Sequence, residues 1–238
     1  MDNDQILTKM NIFNNENTFM FHQPIWEYDM NAASLSLADR FKLLPPETIQ
    51  RLKLLPKEKR VIQTGLIRKD NKEFSVTVDQ KLRDVRKEFI EENHIGLNDI
   101  LSLHSDAIIF TSRKRIKSTI DGITFKQSSH ASGYIRYNSI EIFYDDGAVT
   151  YKGGNKELLK YHTMGISKYL AKIFEYVENY NPDVLTYMSK FQSNYLRDQF
   201  PEFVYSPFGM PGKFKLSNLD FFAFIAKVIL KETSRWDF

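Results

Sequence analysis

Glu27-Tyr28-Asp29-Met30-Asn31-Ala32-Ala33-Ser34-Leu35-Ser36 and Asp99-Ile100-Leu101-Ser102-Leu103-His104-Ser105-Asp106-Ala107-Ile108-Ile109-Phe110 are the two stretches on which the reading of this fold turns. Each sets one aspartate at the end of, or inside, an apolar β-type run. Two such strands side by side would offer two hard oxygen ligands on rigid supports, the kind of site that holds Mg²⁺ against phosphate groups. A carboxylate among Leu101, Leu103, Ile108 and Ile109 is costly unless it is paired or metal-bound, which singles out Asp106. Each aspartate also has a plainer reading. Asp29 suits the N-cap of the helix that follows, and Asp106 suits the exposed face of an edge strand.

Working outward, residues 1–24 are polar and Asn-rich and read as a lead-in loop or short extended segment. Ile25 to Asp29 reads as a strand and Ala32 to Leu43 as a helix with Leu35, Ala38 and Leu43 on its apolar side. Pro45-Pro46 closes that helix and opens another through Ile49 and Leu52 to Pro56. Lys57 to Lys69 is strongly basic. Val76 to Asn93 carries Val78, Leu82, Val85, Phe89 and Ile90 at helical spacing, with charged residues on the other faces. Ile100 to Thr111 follows as a strand. A hairpin-rich region comes next, through Ile123–Phe125, Gly133–Tyr137, Ile140–Tyr144, the turn Asp145-Asp146-Gly147, and Ala148–Lys152. Gly153-Gly154-Asn155 is a boundary. Beyond it lie helices over Lys156–Tyr180, Asp183–Phe200 and Ser217–Glu232, with a Pro/Gly-rich loop (Pro207, Gly209, Pro211, Gly212) before the last. The expected class is α+β, an antiparallel sheet with helices followed by an all-α lobe.

The 238 residues suffice for a sizeable core. A net charge of +3 is too small for a polycation, so a nucleic-acid surface would need local clustering of Lys and Arg. The absence of cysteine excludes disulfides, thiolate catalysis and cysteine-ligated metal sites, and suits a reducing compartment. No apolar run reaches membrane-span length, and the N-terminus lacks the form of a signal peptide. The expectation is a cytoplasmic protein with no membrane partner.

The order strand–Asp–helix, basic segment, long amphipathic helix, strand–Asp, hairpin with a terminal Lys, helical lobe resembles the palm, fingers and thumb of family B DNA polymerases. Their first motif, D-x-x-S-L-Y-P-S, is similar to Asp29-Met30-Asn31-Ala32-Ala33-Ser34-Leu35-Ser36. The fingers motif K-x-x-x-N-S-x-Y-G resembles Lys59-Arg60-Val61-Ile62-Gln63-Thr64, without the Tyr-Gly. The third motif, Y-x-D-T-D-S, resembles Leu103-His104-Ser105-Asp106-Ala107, with His104 in place of the first aspartate. Thr150-Tyr151-Lys152-Gly153 resembles the later K-K-x-Y element. The resemblance covers roughly residues 25–155. It implies a palm-like domain over 25–44 and 73–154, abbreviated fingers over 45–72, and a thumb-like lobe over 155–238.

What the resemblance implies for chemistry is two-metal nucleotidyl transfer with Mg²⁺ or Mn²⁺. Asp29 and Asp106 would hold two ions, helped by the Met30 carbonyl. Lys59, with Gln63 beside it, would meet the triphosphate of the incoming nucleotide. Lys57, Arg60, Lys152 and Lys156 would contact primer–template or single-stranded DNA. Ser34 stands where the family carries a Tyr that excludes the ribose 2′-hydroxyl, so ribonucleotides would be tolerated and a primer-making role is implied. With 28 residues ahead of Asp29, the family's exonuclease domain is expected to be missing. The 77 residues between the two aspartates leave room only for short fingers. The composition is compatible with a phage or mobile element, and other replication subunits are possible partners. Two alternatives stand beside this reading: a catalytically degenerate palm acting as a DNA-binding or replication accessory subunit, and an unrelated phage interaction protein whose aromatic helical lobe is a protein interface.

Overall fold

The structure is a computed structural model that describes residues 2–153, 156–197 and 211–236. The chain forms two compact units: residues 1–17 with 25–130, and residues 18–24 with 131–238. The first unit begins with α1 (Asn3–Thr8) and β1 (Ile12–Phe13). After β2 (Phe19–Met20), which belongs to the other unit, it continues with β3 (Ile25–Met30), α2 (Ala33–Arg40), α3 (Pro46–Lys53), α4 (Lys57–Asp70) and α5 (Lys72–Glu92). It ends with β4 (Ile100–His104), β5 (Ala107–Thr111), β6 (Thr119–Ile120) and β7 (Ile123–Ala131), whose last residue crosses into the second unit. These strands make a six-stranded sheet in the order β1-β4-β5-β3-β7-β6.

Local chemistry explains the element boundaries. Pro46 starts α3 at a position where its missing N–H is not needed. The Asn71 side chain caps α5 by accepting the Phe74 N–H at 2.9 Å. The helix then buries Phe74, Val78, Leu82, Val85, Phe89 and Ile90, each stabilising by roughly 1.5–3 kcal/mol. These side chains meet Tyr28, Met30, Leu103, Ile108 and Phe110 in the core of the first unit. β3 alternates accordingly: Tyr28 and Met30 enter that core, while Asp29, between them, is only half-buried.

Two expectations change here. Ile100–Thr111 is not one strand but a hairpin, because Ser105-Asp106 forms a two-residue link between β4 and β5. Asp106 therefore lies at a hairpin tip, where a charge meets solvent, rather than within an apolar run. The N-terminal residues are not a lead-in either. Ile12 pairs with Leu103 and Phe13 with Ser102, so β1 covers the β4 edge of the sheet.

The second unit holds β2, β8 (Gly133–Tyr137), β9 (Ile140–Asp145), β10 (Ala148–Gly153), α6 (Lys156–Glu178), α7 (Asp183–Leu196) and α8 (Pro211–Thr233). Its sheet order is β10-β9-β8-β2, and the described pairings are antiparallel. Asp146 and Gly147, both with positive φ, make the tight β9–β10 turn. Ile135, Ile142 and Tyr144 from the sheet share one core with Tyr169, Phe174, Phe191 and Phe222 from the helices. Tyr144 stacks on Phe174 at 4.9 Å between ring centres. Gly133 makes room for that stack, since a Cβ there would lie 2.5 Å from Phe174 Cδ1. The C-terminal helices are thus joined to residues 131–153 by a common core, and the division falls after His130 instead of after Gly154. Of the Pro/Gly-rich loop, Pro211 and Gly212 open α8, while Pro207 and Gly209 lie outside the described residues. The architecture is α+β with antiparallel sheets and a helical C-terminus. Among the described residues no helix is long and apolar enough to cross a membrane.

Candidate functional site

The end of β3 and the tip of the β4–β5 hairpin meet. Asp29 pairs with Ala107, and the Met30 N–H donates to the Asp106 carbonyl at 2.8 Å. The two aspartates are therefore held by rigid, hydrogen-bonded neighbouring backbone. Both line a cleft of about 920 Å³ within the first unit. Its walls come from the β3–α2 junction, one face of α4, and Lys126, Gln127 and Ser128 of β7.

The β3–α2 junction is strained. Ala32 adopts φ 47° and ψ 49°, the left-handed region, which costs a non-glycine residue about 1–2 kcal/mol. It turns the chain sharply, so that α2 starts at the cleft. The N–H groups of Leu35 and Ser36 both go to the Ala32 carbonyl, and no side chain caps α2. Ala33, Ser34 and Leu35 line the cleft, so the positive end of the helix dipole faces it. Lys57, Arg60, Arg68 and Lys126 add four cations around the same space. Arg68 is fixed by Asp79, by Ser75 Oγ at 3.3 Å and by Ser34 Oγ at 3.1 Å. The arrangement can bind an anion of several charges beside two carboxylates.

Whether the carboxylates fit a metal is a question of ligand count. Among the described residues no group of three or more His, Asp or Glu side chains could form a closed cage. Mg²⁺ does not need one, since it keeps waters and is commonly bound by one or two carboxylates plus substrate phosphates. Asp29 and Asp106 beside a cationic anion pocket suit that mode. His104 contacts Ser102 Oγ at 3.2 Å and the Phe13 ring edge-on.

Of the residues read from sequence, Asp29, Met30, Ser34, Lys57, Arg60 and Asp106 meet at the cleft. Lys59 and Gln63 do not. They line a separate depression of about 420 Å³ with Arg51, Leu52, Leu55 and Ile62. The reason is helical phase: α4 runs through the whole basic segment and presents Lys57, Arg60, Val61, Thr64, Gly65 and Arg68 on one face. Lys59 and Gln63 lie on the other side of the helix, roughly a half and a third of a turn from the centre of that face. Thr64, Arg68 and Lys126 also line the cleft; the 57-60-64-68 spacing signals the first two, and no local pattern signals Lys126. Lys152 belongs to β10 of the second unit, and Lys156 opens α6 there, its side chain lying outside the described residues. The neighbouring Tyr151 serves packing: its hydroxyl meets Ser167 Oγ at 2.8 Å and burial pushes its pKa up to about 12.

Helical phase also yields a prediction. Arg60→Ala is expected to weaken binding of a nucleoside triphosphate by about 10- to 100-fold, the loss of a charge-assisted contact. Lys59→Ala is expected to leave it unchanged. Titration calorimetry with a non-hydrolysable triphosphate separates the two, and equal losses would mean that α4 does not present its Arg60 face to the ligand.

No curated protein matches the chain significantly. A protein-family model described as the bacteriophage PBS1 gene 130 protein matches residues 1–236. That match spans nearly the whole chain, which therefore belongs to this phage protein family.

Proposed function

We propose that this phage protein is a template-directed nucleotidyltransferase with a minimal polymerase palm. The observation that carries the reading is the juncture of Asp29 and Asp106, two carboxylates on adjoining strand ends at a cleft whose other walls are a helix N-terminus and four cations. The order β4-β5-β3, with one aspartate near the end of β3 and the other at the β4–β5 hairpin tip, supports it further. In the proposed step a primer 3′-hydroxyl oxygen attacks the α-phosphorus of a nucleoside triphosphate. A new O–P bond forms, the α–β P–O bond breaks, pyrophosphate leaves, and the hydroxyl proton passes to water. Divalent ions, when bound by Asp29 and Asp106, would lower the hydroxyl pKa and stabilise the leaving charge. Arg60, Lys57, Arg68 and the α2 N-terminus bind and orient the triphosphate tail, neutralising charge that solvent would otherwise have to screen.

The test is primer extension on short DNA templates with Mg²⁺ or Mn²⁺, using the full chain. Template-dependent product is expected. Binding of primer–template without extension under any divalent ion would favour the accessory-subunit reading, which is supported by His104 standing where family B polymerases carry the first aspartate of their third motif.

The sugar pocket gives a second prediction. Ser34 lies in the cleft with only a hydroxyl contact to Arg68, so nothing bulky stands at this position. Ribonucleotide incorporation within about tenfold of deoxyribonucleotide incorporation is expected. Ser34→Tyr should lower it by roughly 10- to 100-fold, the range a steric sieve supplies. Strong rejection of ribonucleotides by the unsubstituted protein would place the gate elsewhere.

A further inference from the structure

Beyond the cleft, the residues linking β5 to β6 form a second basic feature. Arg113, Lys114, Arg115 and Lys117 put four cations in five positions, against a net charge of only +3 for the whole chain. The rest of the protein is close to neutral in net charge. Arg113, Lys114 and Arg115 are exposed, and among the described residues none has a carboxylate in ion-pair reach. Lys117 is taken by Glu92 at 2.9 Å.

The arc is ordered at both ends. The Trp26 indole N–H donates to the Ser112 carbonyl at 2.7 Å, and Ser112 Oγ accepts the Lys114 N–H at 3.1 Å. At the other end, buried Asn93 accepts the Lys117 N–H at 2.6 Å and donates to its carbonyl at 3.1 Å. Ile116, between them, packs against the core. An arc pinned in this way displays its cations without the ordering cost a free loop would meet on binding. Three exposed cations without acidic partners, on a preorganised backbone, match the repeating charge of a phosphodiester chain.

We propose that Arg113, Lys114 and Arg115 form a sequence-independent binding site for the phosphate backbone of nucleic acid. Asp106 precedes β5 and Ser112 follows it, so the arc begins about 20 Å from the Asp106 backbone along β5. That corresponds to about six phosphates of one strand along a duplex axis. The proposal shares only its nucleic-acid partner with the proposed function and needs no catalysis.

The experiment is fluorescence anisotropy of labelled oligothymidine and of a mixed-sequence duplex with the full chain, without divalent metal or nucleotide, across a salt series. R113Q/K114Q/R115Q is expected to weaken binding about tenfold or more at low salt. The slope of log affinity against log salt should fall by about 2–3, the share of three phosphate contacts. R113K/R115K keeps the charge and should keep the slope. An unchanged slope in the triple Gln variant, or no binding by the unsubstituted protein at low salt, overturns the proposal. So does equal or tighter binding to polyglutamate or to phosphatidylglycerol vesicles. If extension fails while the slope still falls, the arc stands and the catalytic reading does not. If extension proceeds and the slope is unmoved, the reverse holds.

Discussion

Asp106→Asn and Asp29→Asn are each expected to lower nucleotidyl transfer by about 10³-fold or more, equivalent to roughly 4 kcal/mol of transition-state stabilisation. Asn keeps the shape of the side chain and removes the charge that a divalent ion needs. Neither aspartate belongs to the hydrophobic core, and both are only half-buried. Thermal unfolding should therefore shift by no more than a surface substitution commonly causes. Mn²⁺ binding followed by electron paramagnetic resonance gives a readout independent of turnover. Each variant should lose high-affinity Mn²⁺ in the presence of a triphosphate. Retention of more than a tenth of the activity by either variant would detach the carboxylates from the chemistry. Loss of activity with intact Mn²⁺ binding would assign the aspartates to something other than metal ligation.

The parts of the fold legible in the sequence are those governed by local pattern. The α5 stripe, the Pro-initiated helices and the Asp146-Gly147 turn follow from period, capping and backbone preference, and they occupy nearly the expected residues. Asp29 at the end of β3 follows from the same local logic, whereas Asp106 beside it is what the resemblance implies. What could not be read was set by contacts distant in sequence. Ser105-Asp106 becomes a hairpin tip because β4 and β5 pair with each other and β3 pairs with β5, and only the polar His104-Ser105-Asp106 interruption of the run hints at it. Residues 1–24 read as a lead-in loop or short extended segment because their partners lie far away, Leu103 for Ile12 and Tyr134 for Met20. Lys59 is a different case: the resemblance singles it out by motif spacing, while helical phase puts Arg60, not Lys59, on the side of α4 that lines the cleft. Lys126 reaches the cleft only because β7 lies beside β3 in the sheet, which no local signal announces.

Arg86 shows the same limit with the largest consequence for stability. On the helical wheel of α5 it lies between Leu82 and Ile90 at the edge of the apolar stripe, and it is only 1% exposed; what the pattern does not announce is its partners, which lie some 80 residues earlier. Its guanidinium donates to the carbonyls of Ile6 at 2.8 Å, Lys9 at 2.7 Å and Met10 at 2.8 Å, and approaches that of Ser105 at 3.5 Å. Several of these are acceptors at or just beyond the end of α1, where carbonyls lack helical donors and the dipole favours a cation. Burial, and then the neighbouring Arg83 charge, lower its pKa to about 10, which still leaves it protonated at neutral pH. Arg86→Met keeps the apolar stem and removes every donor, so the carbonyls stay buried without partners. The expected loss is about 3–5 kcal/mol, the range for breaking a buried charged contact. Arg86→Lys, with a charge but no planar fork, should lose less. Urea unfolding measures both. Amide exchange should locate the change in α1 and at Ser105, whose N–H donates to Asn11 Oδ1 at 2.9 Å in the segment Arg86 holds. Ser105 adjoins Asp106, so the clasp also steadies the hairpin tip. A variant that is still folded should therefore exchange faster at that turn and lose kcat more than KM. An unfolding midpoint within error of the unsubstituted protein would show that α1 and the tip are held by other contacts.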